Sequence, residues 1–350
     1  MSEEILARGE VLARRGSEVE TRPVEWLWPG RIPRGKVSIL DGLPGVAKTT
    51  LVGDVGARLT TGRKMPDGAD APNGAVLFIN YEDDAEDTLV PRFDAAGGDT
   101  NRLLLADSVR TPAGVDYLEI PTHVEFLEEL IVLEGVVLCI IDPLMAALAA
   151  DVRSNTDQDV RRALRSLRSM AERTGVAVVC VRHLNKNTNV KDPILRGGGS
   201  IGIIGAARAG LIAGRDPEDQ TRHVLAMSKM NLAPDNVPSL AYRVVEDPRW
   251  KVGAIEWLGE VNVQARDLLA DSQPDVGPAV AEAVGILTEF LAEGPRLATE
   301  CKAYCKEAGV TGRTLDRAKT ATGVKARPRD NGTGQHWWWE IAMPSEERQP

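Results

Sequence analysis

The chain reads as an α/β fold, and three observations carry that expectation. Short runs rich in Val, Ile and Leu alternate with longer stretches of helical periodicity. The runs are apolar throughout rather than at every second residue, so they suit a sheet covered by helices on both faces. The stretch LDGLPGVAKTTL, residues 40–51, joins one such run to a helix. Its spacing is that of the phosphate-binding loop Gly-x-x-x-x-Gly-Lys-[Ser/Thr], kept at every fixed position but one.

The elements follow in order. KVSIL (36–40) predicts a strand, followed by a helix from Lys48 to about Thr61. GAVLFIN (74–80) predicts the next strand, with a helix from about Asp84 to Ala96. NRLLLAD (101–107) comes next, and a helix near 122–134 leads into GVVLCIID (135–142). A helix over about 156–174 leads into VAVVCVRH (176–183). Beyond residue 205 the rhythm changes: AARAGLIAGR, RHVLAMSKMN and LAYRVVE read as further strands, some of them antiparallel. Residues 269–279, LADSQPDVGPA, are polar, carry two prolines and read as a linker. After it, helices are expected over about 280–293, LATECKAYCKEA and VTGRTLDRAKTA, then strands 324–328 and 336–342 joined by RDNGTG. Three helices and a hairpin predict a winged helix-turn-helix, with Thr311 capping its third helix. The expected organisation is an extension over 1–23, an α/β domain over 24–268, the linker 269–279 and the winged unit 280–345.

Composition narrows the class. Of 350 residues, 43% are hydrophobic and 27% charged, ordinary for a globular protein. The net charge of -9 leaves nucleic-acid binding to local basic patches rather than to the molecule as a whole. The amino terminus opens with acids and carries no apolar segment, and the longest apolar run, GVVLCIID, is far short of a membrane span. A cytoplasmic protein with no membrane partner is expected. Cys139 and Cys180 fall inside strand-like runs as buried thiols. Cys301 and Cys305 sit four apart on a helix with no second pair to complete a zinc site.

The strand–loop–helix setting of residues 40–51 is the one a phosphate loop requires. Backbone N–H groups of Leu43, Gly45, Val46, Ala47 and Lys48 would wrap a β-phosphate at the helix amino end, with Pro44 stiffening the loop. Gly42 and Gly45 supply unusual backbone angles, Lys48 reaches the β- and γ-phosphates, and Thr49, beside Thr50, offers a hydroxyl to Mg2+. Ala47 stands where glycine is expected. With helical angles there, alanine would cost nothing. ATP and Mg2+ are the expected ligands.

Asp142 ends a buried strand and would hold Mg2+ through water; the plainer alternative is a turn aspartate ahead of Pro143. Glu82 and Asp83 lie just past the second strand. With Asp142 given to the metal, Glu82 is the better candidate to orient a nucleophilic water and take its proton. The acids 82–87 also suit a helix amino terminus, a reading that competes for Asp83. His183 closes a strand next to that of Asp142, either as a polar tip that senses the γ-phosphate or as a turn histidine. The glycine-rich stretch 184–204 suits a channel-lining loop, with Lys186, Lys191 and Arg196 placed to meet phosphate backbones. Arg208 lies in a run too apolar for a buried charge unless it faces solvent or a partner subunit.

These elements, in this order, resemble the RecA-like ATPases of the RepA hexameric replicative helicase type, common in plasmids, phages and mobile elements. The resemblance rests on GLPGVAKTT, NYEDD, IIDPL, RHLNK with GGGS, GAARAG and SKMN, over about residues 24–247. The trailing winged unit resembles the small carboxyl domain often attached to such relatives. The resemblance implies that Glu82 is the catalytic glutamate, Asp142 the Walker B aspartate and His183 the sensor. It implies that Arg208 is an arginine finger acting on ATP held by a neighbouring subunit, and that Lys229 presents a second cation to the same phosphate. Ala47 is the departure from the pattern.

Within 311–329 the basic residues Arg313, Arg317, Lys319, Lys325, Arg327 and Arg329 face a single acid, Asp316. Arg313 and Arg317, four apart, share a face of the third helix, and KARPRDNGTGQ would be a basic wing for duplex or junction DNA. Protein docking is the other use of such a unit. In the run 337–339, Trp337 and Trp339 should share one strand face and Trp338 the other, with the core taking one of them. The function this predicts is an ATP-hydrolysing DNA motor or helicase of replication, a homo-oligomer and most simply a hexamer, with single-stranded DNA at the core and replication proteins as possible partners. The alternatives are a non-unwinding ATPase that loads or regulates a DNA-processing partner, and a DNA-binding regulator switched by ATP.

Overall fold

A computed structural model describes residues 13–153, 156–184, 202–233, 237–270, 278–292, 294–310, 312–330 and 335–341. The chain divides into two compact units, the larger ending at Leu268 and the smaller beginning at Leu269.

The larger unit opens with the short pair β1 (Trp26–Trp28) and β2 (Ile32–Pro33), then β3 (Val37–Gly42), helix α1 (Lys48–Thr61) and β4 (Ala75–Asn80). A wide π-type turn, Ala85–Leu89, and helix α2 (Val90–Ala95) stand where one regular helix is expected. Pro91 has no N–H to bond the preceding turn, so Leu89 N reaches back to Asp84 O and that turn widens. Strand β5 (Leu103–Ala106) is followed by a hairpin the sequence did not signal, β6 (Ser108–Thr111) with β7 (Gly114–Tyr117). Helix α3 (Val124–Glu134), β8 (Val136–Asp142), helix α4 (Leu144–Ala147), helix α5 (Asp157–Thr174) and β9 (Ala177–His183) complete the alternating part. Helix α6 (Gly202–Ala206) then leads to β10 (Ala209–Arg215), β11 (His223–Met230), β12 (Ser239–Glu246), β13 (Gly253–Val261) and the short helix α7 (Asp267–Ala270).

Nine strands form one sheet in the order β13-β12-β11-β10-β3-β9-β8-β4-β5. From β10 to β5 every pairing is parallel, and β11, β12 and β13 add antiparallel strands at one side. Alternate strand residues feed two cores. Ile39, Ile79, Ile141 and Cys180 pack under α3, α5 and α6, while Leu40, Phe78, Ile140 and Val179 pack under α1. Helix α5 shows the pattern that demands this: Val160, Ala163, Leu164, Leu167, Met170 and Ala171 form its buried stripe, and Gly175 ends it in the left-handed region at φ 74°.

The smaller unit has helices α8 (Pro278–Leu291), α9 (Ala298–Glu307) and α10 (Gly312–Ala321), and strands β14 (Arg296–Leu297), β15 (Val324–Asp330) and β16 (Gln335–Ile341) in the order β14-β16-β15. Leu287, Leu291, Cys301, Cys305, Leu315, Ala318 and Trp339 form its core. Trp337 shares a face with Trp339 by strand parity, yet it is 59% exposed and Trp339 is buried. Thr311 lies outside the described residues. No helix among the described residues is long and apolar enough to cross a membrane.

Candidate nucleotide-binding site

The carboxyl ends of the neighbouring parallel strands β3, β9, β8 and β4 deliver Gly42, His183, Asp142 and Asn80 to one edge of the sheet. Ligands collect at such an edge in open α/β sheets. The loop 43–47 bridges β3 and α1. Gly42 has no room for a side chain, since a Cβ there would lie 2.7 Å from Ala213 O and 3.1 Å from Lys48 Cδ. Gly45 has φ 84°. Val46 is buried, whereas Pro44 and Gly45 are exposed.

Ala47 does not meet the condition under which alanine would cost nothing: its φ of 55° and ψ of 41° lie in the left-handed region. The penalty there for an L residue is roughly 1–2 kcal/mol. Among the described residues, no acceptor takes the N–H groups of Gly45, Val46, Ala47, Lys48 or Thr49; the first bond back into the loop runs from Leu51 N to Ala47 O. Five such donors at the start of a 14-residue helix make a concave cradle for an anion.

The side chains fit a nucleotide phosphate and its cation. Lys48 Nζ donates to Leu43 O at 3.1 Å and lies 3.2 Å from His183 Nδ1. Burial lowers its pKa, and Asp142, Asp41 and Glu82 raise it in opposition. Thr49 Oγ1 donates to Asp142 Oδ2 at 2.7 Å, so a hydroxyl and a buried carboxylate already converge. Burial pushes the Asp142 carboxyl up to about 6, against the Thr49 hydrogen bond and the Lys48 charge. A carboxylate held in so dry a place is one that a divalent cation would relieve. The pair Thr49 and Asp142 has the hard-oxygen chemistry Mg2+ prefers.

Glu82, the candidate preferred from the sequence, and its neighbour Asp83 have different surroundings. Asn80 Oδ1 accepts from the N–H groups of both, at 2.9 and 2.8 Å, and so fixes the turn. Asp83 is spent on Arg92, at 3.0 Å. The Glu82 carboxylate instead lies 3.7 Å from His183 Nε2, and half of its surface remains open to solvent. His183 thus bridges Lys48 and Glu82.

Three groups escaped the sequence reading. Asp41 and Arg182 form a buried bidentate pair at 2.7 and 2.8 Å, cross-strand partners one residue before Gly42 and His183. Opposite charges inside two apolar runs, each one step ahead of a site residue, were the available signal. Tyr242 on β12 donates its hydroxyl to Val46 O at 2.7 Å. It carries no local motif.

Arg208 and Lys229 lie elsewhere. Arg208 precedes β10, whose register sets Ala209 beside Ser38 and Ala213 beside Gly42. It therefore sits at the opposite end of β3 from the loop, roughly 15 Å away at 3.3 Å per residue. Arg208 meets no acid among the described residues. Lys229 pairs with Gly210 near the same end and donates to the carbonyl oxygens of Ile204, Gly205 and Ala207 at 2.7, 3.3 and 2.9 Å. Lys186, Lys191 and Arg196 lie outside the described residues. In the smaller unit, Arg313 and Arg317 are exposed on α10 and Lys325 is exposed on β15. Arg327 pairs with Glu340 at 2.8 Å, and Lys319 Nζ sits 4.4 Å over the Trp339 ring. Arg329 has only its backbone among the described residues.

A strand–loop–helix phosphate cradle with a lysine, a threonine–aspartate pair and a poised glutamate is the site of a P-loop nucleotide-binding protein. The comparison with protein families agrees: a family described as an AAA domain matches residues 2–189, more than half of the chain, and the chain belongs to it. That places it among P-loop ATPase-type proteins. No curated protein matches the chain.

Proposed function

We propose that the protein is an ATP-hydrolysing motor on DNA that works as a ring of identical subunits, of the RepA-type helicase class. The larger unit would be its RecA-like core and the smaller a winged-helix DNA contact. The observation that carries the proposal is the separation of Arg208 from its own loop by the length of β3. An arginine at that end is out of reach of its own nucleotide and available to a neighbour's.

In this reading the loop N–H groups and Lys48 hold the phosphates of ATP. Thr49 and Asp142 would hold Mg2+, which would supply positive charge against the phosphates. Glu82 orients a water and takes its proton as the water oxygen bonds to the γ-phosphorus and the bond to ADP breaks. His183, between Glu82 and Lys48, relays the state of that phosphate to the loop that follows β9. Arg208 of the adjoining subunit stabilises the charge in transfer; Lys229, tied to the end of α6, steadies the segment that presents it. Arg313, Arg317 and Lys325 would meet duplex or junction phosphates.

The test mixes two inactive variants, Lys48→Ala and Arg208→Ala. Some interfaces of mixed rings pair an intact loop with an intact finger, so partial ATPase activity should return. No recovery in demonstrably mixed oligomers would remove the trans finger. Strand displacement on a tailed duplex then separates a helicase from an ATPase that is stimulated by single-stranded DNA without unwinding.

A further inference from the structure

The alanine in the phosphate loop raises a mechanical question. In the backbone seen here, the peptide joining Val46 to Ala47 gives Ala47 a φ of 55°. Rotating that one peptide plane by half a turn would carry Ala47 from φ 55° to about −125° at its unchanged ψ of 41°, out of the left-handed region and into the negative-φ half of the map that L residues prefer. The same rotation would spoil the cradle. In a trans peptide the C=O and N–H point in opposite directions, so a flipped plane turns the Ala47 N–H outward and aims the Val46 oxygen at the anion. Glycine tolerates either orientation; alanine favours the wrong one.

Something must hold the plane, and one group is built to do so. The Tyr242 hydroxyl donates to Val46 O at 2.7 Å from the far side of the loop. The ring that carries it has no freedom. It is fully buried, stacked on His223 at 5.3 Å between ring centroids and tilted against Trp257 at 5.7 Å. Trp257 is in turn bonded through Nε1 to Asp54 Oδ2 on α1 at 2.8 Å, so the clamp and the helix that follows the loop are one body.

We propose that Tyr242 is a positioning residue for nucleotide binding: by fixing the Val46 carbonyl outward it keeps the Ala47 N–H turned to the phosphate, and so takes over the task that glycine performs by its own flexibility. The inference rests on the nucleotide reading of the loop. It implies a coupling between Tyr242 and Ala47, through the Val46 carbonyl, that no packing role for the tyrosine ring would produce.

The experiment is a double-mutant cycle on the full chain, with a fluorescent ADP analogue and Mg2+ as the probe. Tyr242→Phe keeps the ring and its stacking but removes the hydroxyl. It should weaken ADP binding about tenfold, about 1.4 kcal/mol, with the loss appearing in KM for ATP rather than in kcat. Ala47→Gly alone should bind as well as wild type or better. In the Ala47→Gly background, adding Tyr242→Phe should change affinity by less than about twofold, because the strain the hydroxyl opposes is gone. Wild-type affinity in Tyr242→Phe, or an equal loss with and without Gly at position 47, would overturn the proposal. A wild-type protein that binds no ADP would instead remove the nucleotide reading, and this inference with it.

Discussion

Replacing Asp142 by asparagine should make the ligand-free protein more stable, although it damages the site. The native carboxyl titrates at about 6, raised from the ordinary 3.8 chiefly by burial. The folded state therefore holds its proton more tightly than the unfolded chain does. Stability contributed by this group falls as pH rises from about 4 through 6 and is flat above. The shift of about two units amounts to roughly 3 kcal/mol at neutral pH. Asn keeps an oxygen to accept from Thr49 Oγ1, so the hydrogen bond at 2.7 Å survives without the charge. A gain of that size corresponds to about 6–10 °C for a domain of this length. The assay is a thermal melt of wild type and Asp142→Asn with chelator and no nucleotide, from pH 4.5 to 8. The variant should melt higher by that margin at pH 8, and the gap should close as pH falls below 6. With Mg2+ and ATP added, wild type should gain more than the variant. A variant that melts at or below wild type at pH 8 would refute the argument, since Asp142 would then not be a strained carboxylate at all.

Glu82→Gln should retain ADP binding and lower ATP turnover by about two to three orders of magnitude, whereas Asp83→Asn, which breaks only the contact with Arg92, should keep most of its activity; equal losses in steady-state ATPase assays would mean that the two carboxylates act together. Gly42→Ala forces a Cβ to 2.7 Å from Ala213 O, so nucleotide binding should be lost and chemical denaturation should show a weaker fold. Removing Arg182 as Arg182→Leu strands the Asp41 carboxylate beneath the site and should cost about 3–5 kcal/mol in urea unfolding, with much of that returned by adding Asp41→Asn.

The parts legible in the sequence were those with local causes. Apolar runs located β3, β4, β8, β9 and β10, and the loop spacing located Lys48 and Thr49, because strand burial and helix-end geometry act over a few residues. The hairpin β6–β7 was missed because SVRT and GVDY are short and largely solvent-facing, with no apolar period to read. The angle of Ala47 was not legible because propensity describes a residue in a helix, and this one stands just before it. Glu82 was preferred to Asp83 on sequence, but the pairing of Asp83 with Arg92 nine positions on is one that spacing alone does not choose. Tyr242 was invisible, since its hydroxyl finds its partner across the fold.

The sheet order has a consequence for how the protein comes off the ribosome. β3, which carries the phosphate loop, is among the first strands made, yet its neighbours are β9 and β10, and Val46 waits for a tyrosine 196 positions downstream. At synthesis rates of about 5–20 residues per second, the loop spends on the order of ten seconds or more without the strands that shape it. A nascent chain has a loop without its flanking strands until β9 and β10 have emerged, and without the Tyr242 hydrogen bond until β12 has folded back, so the cradle reaches its final shape only when the domain closes.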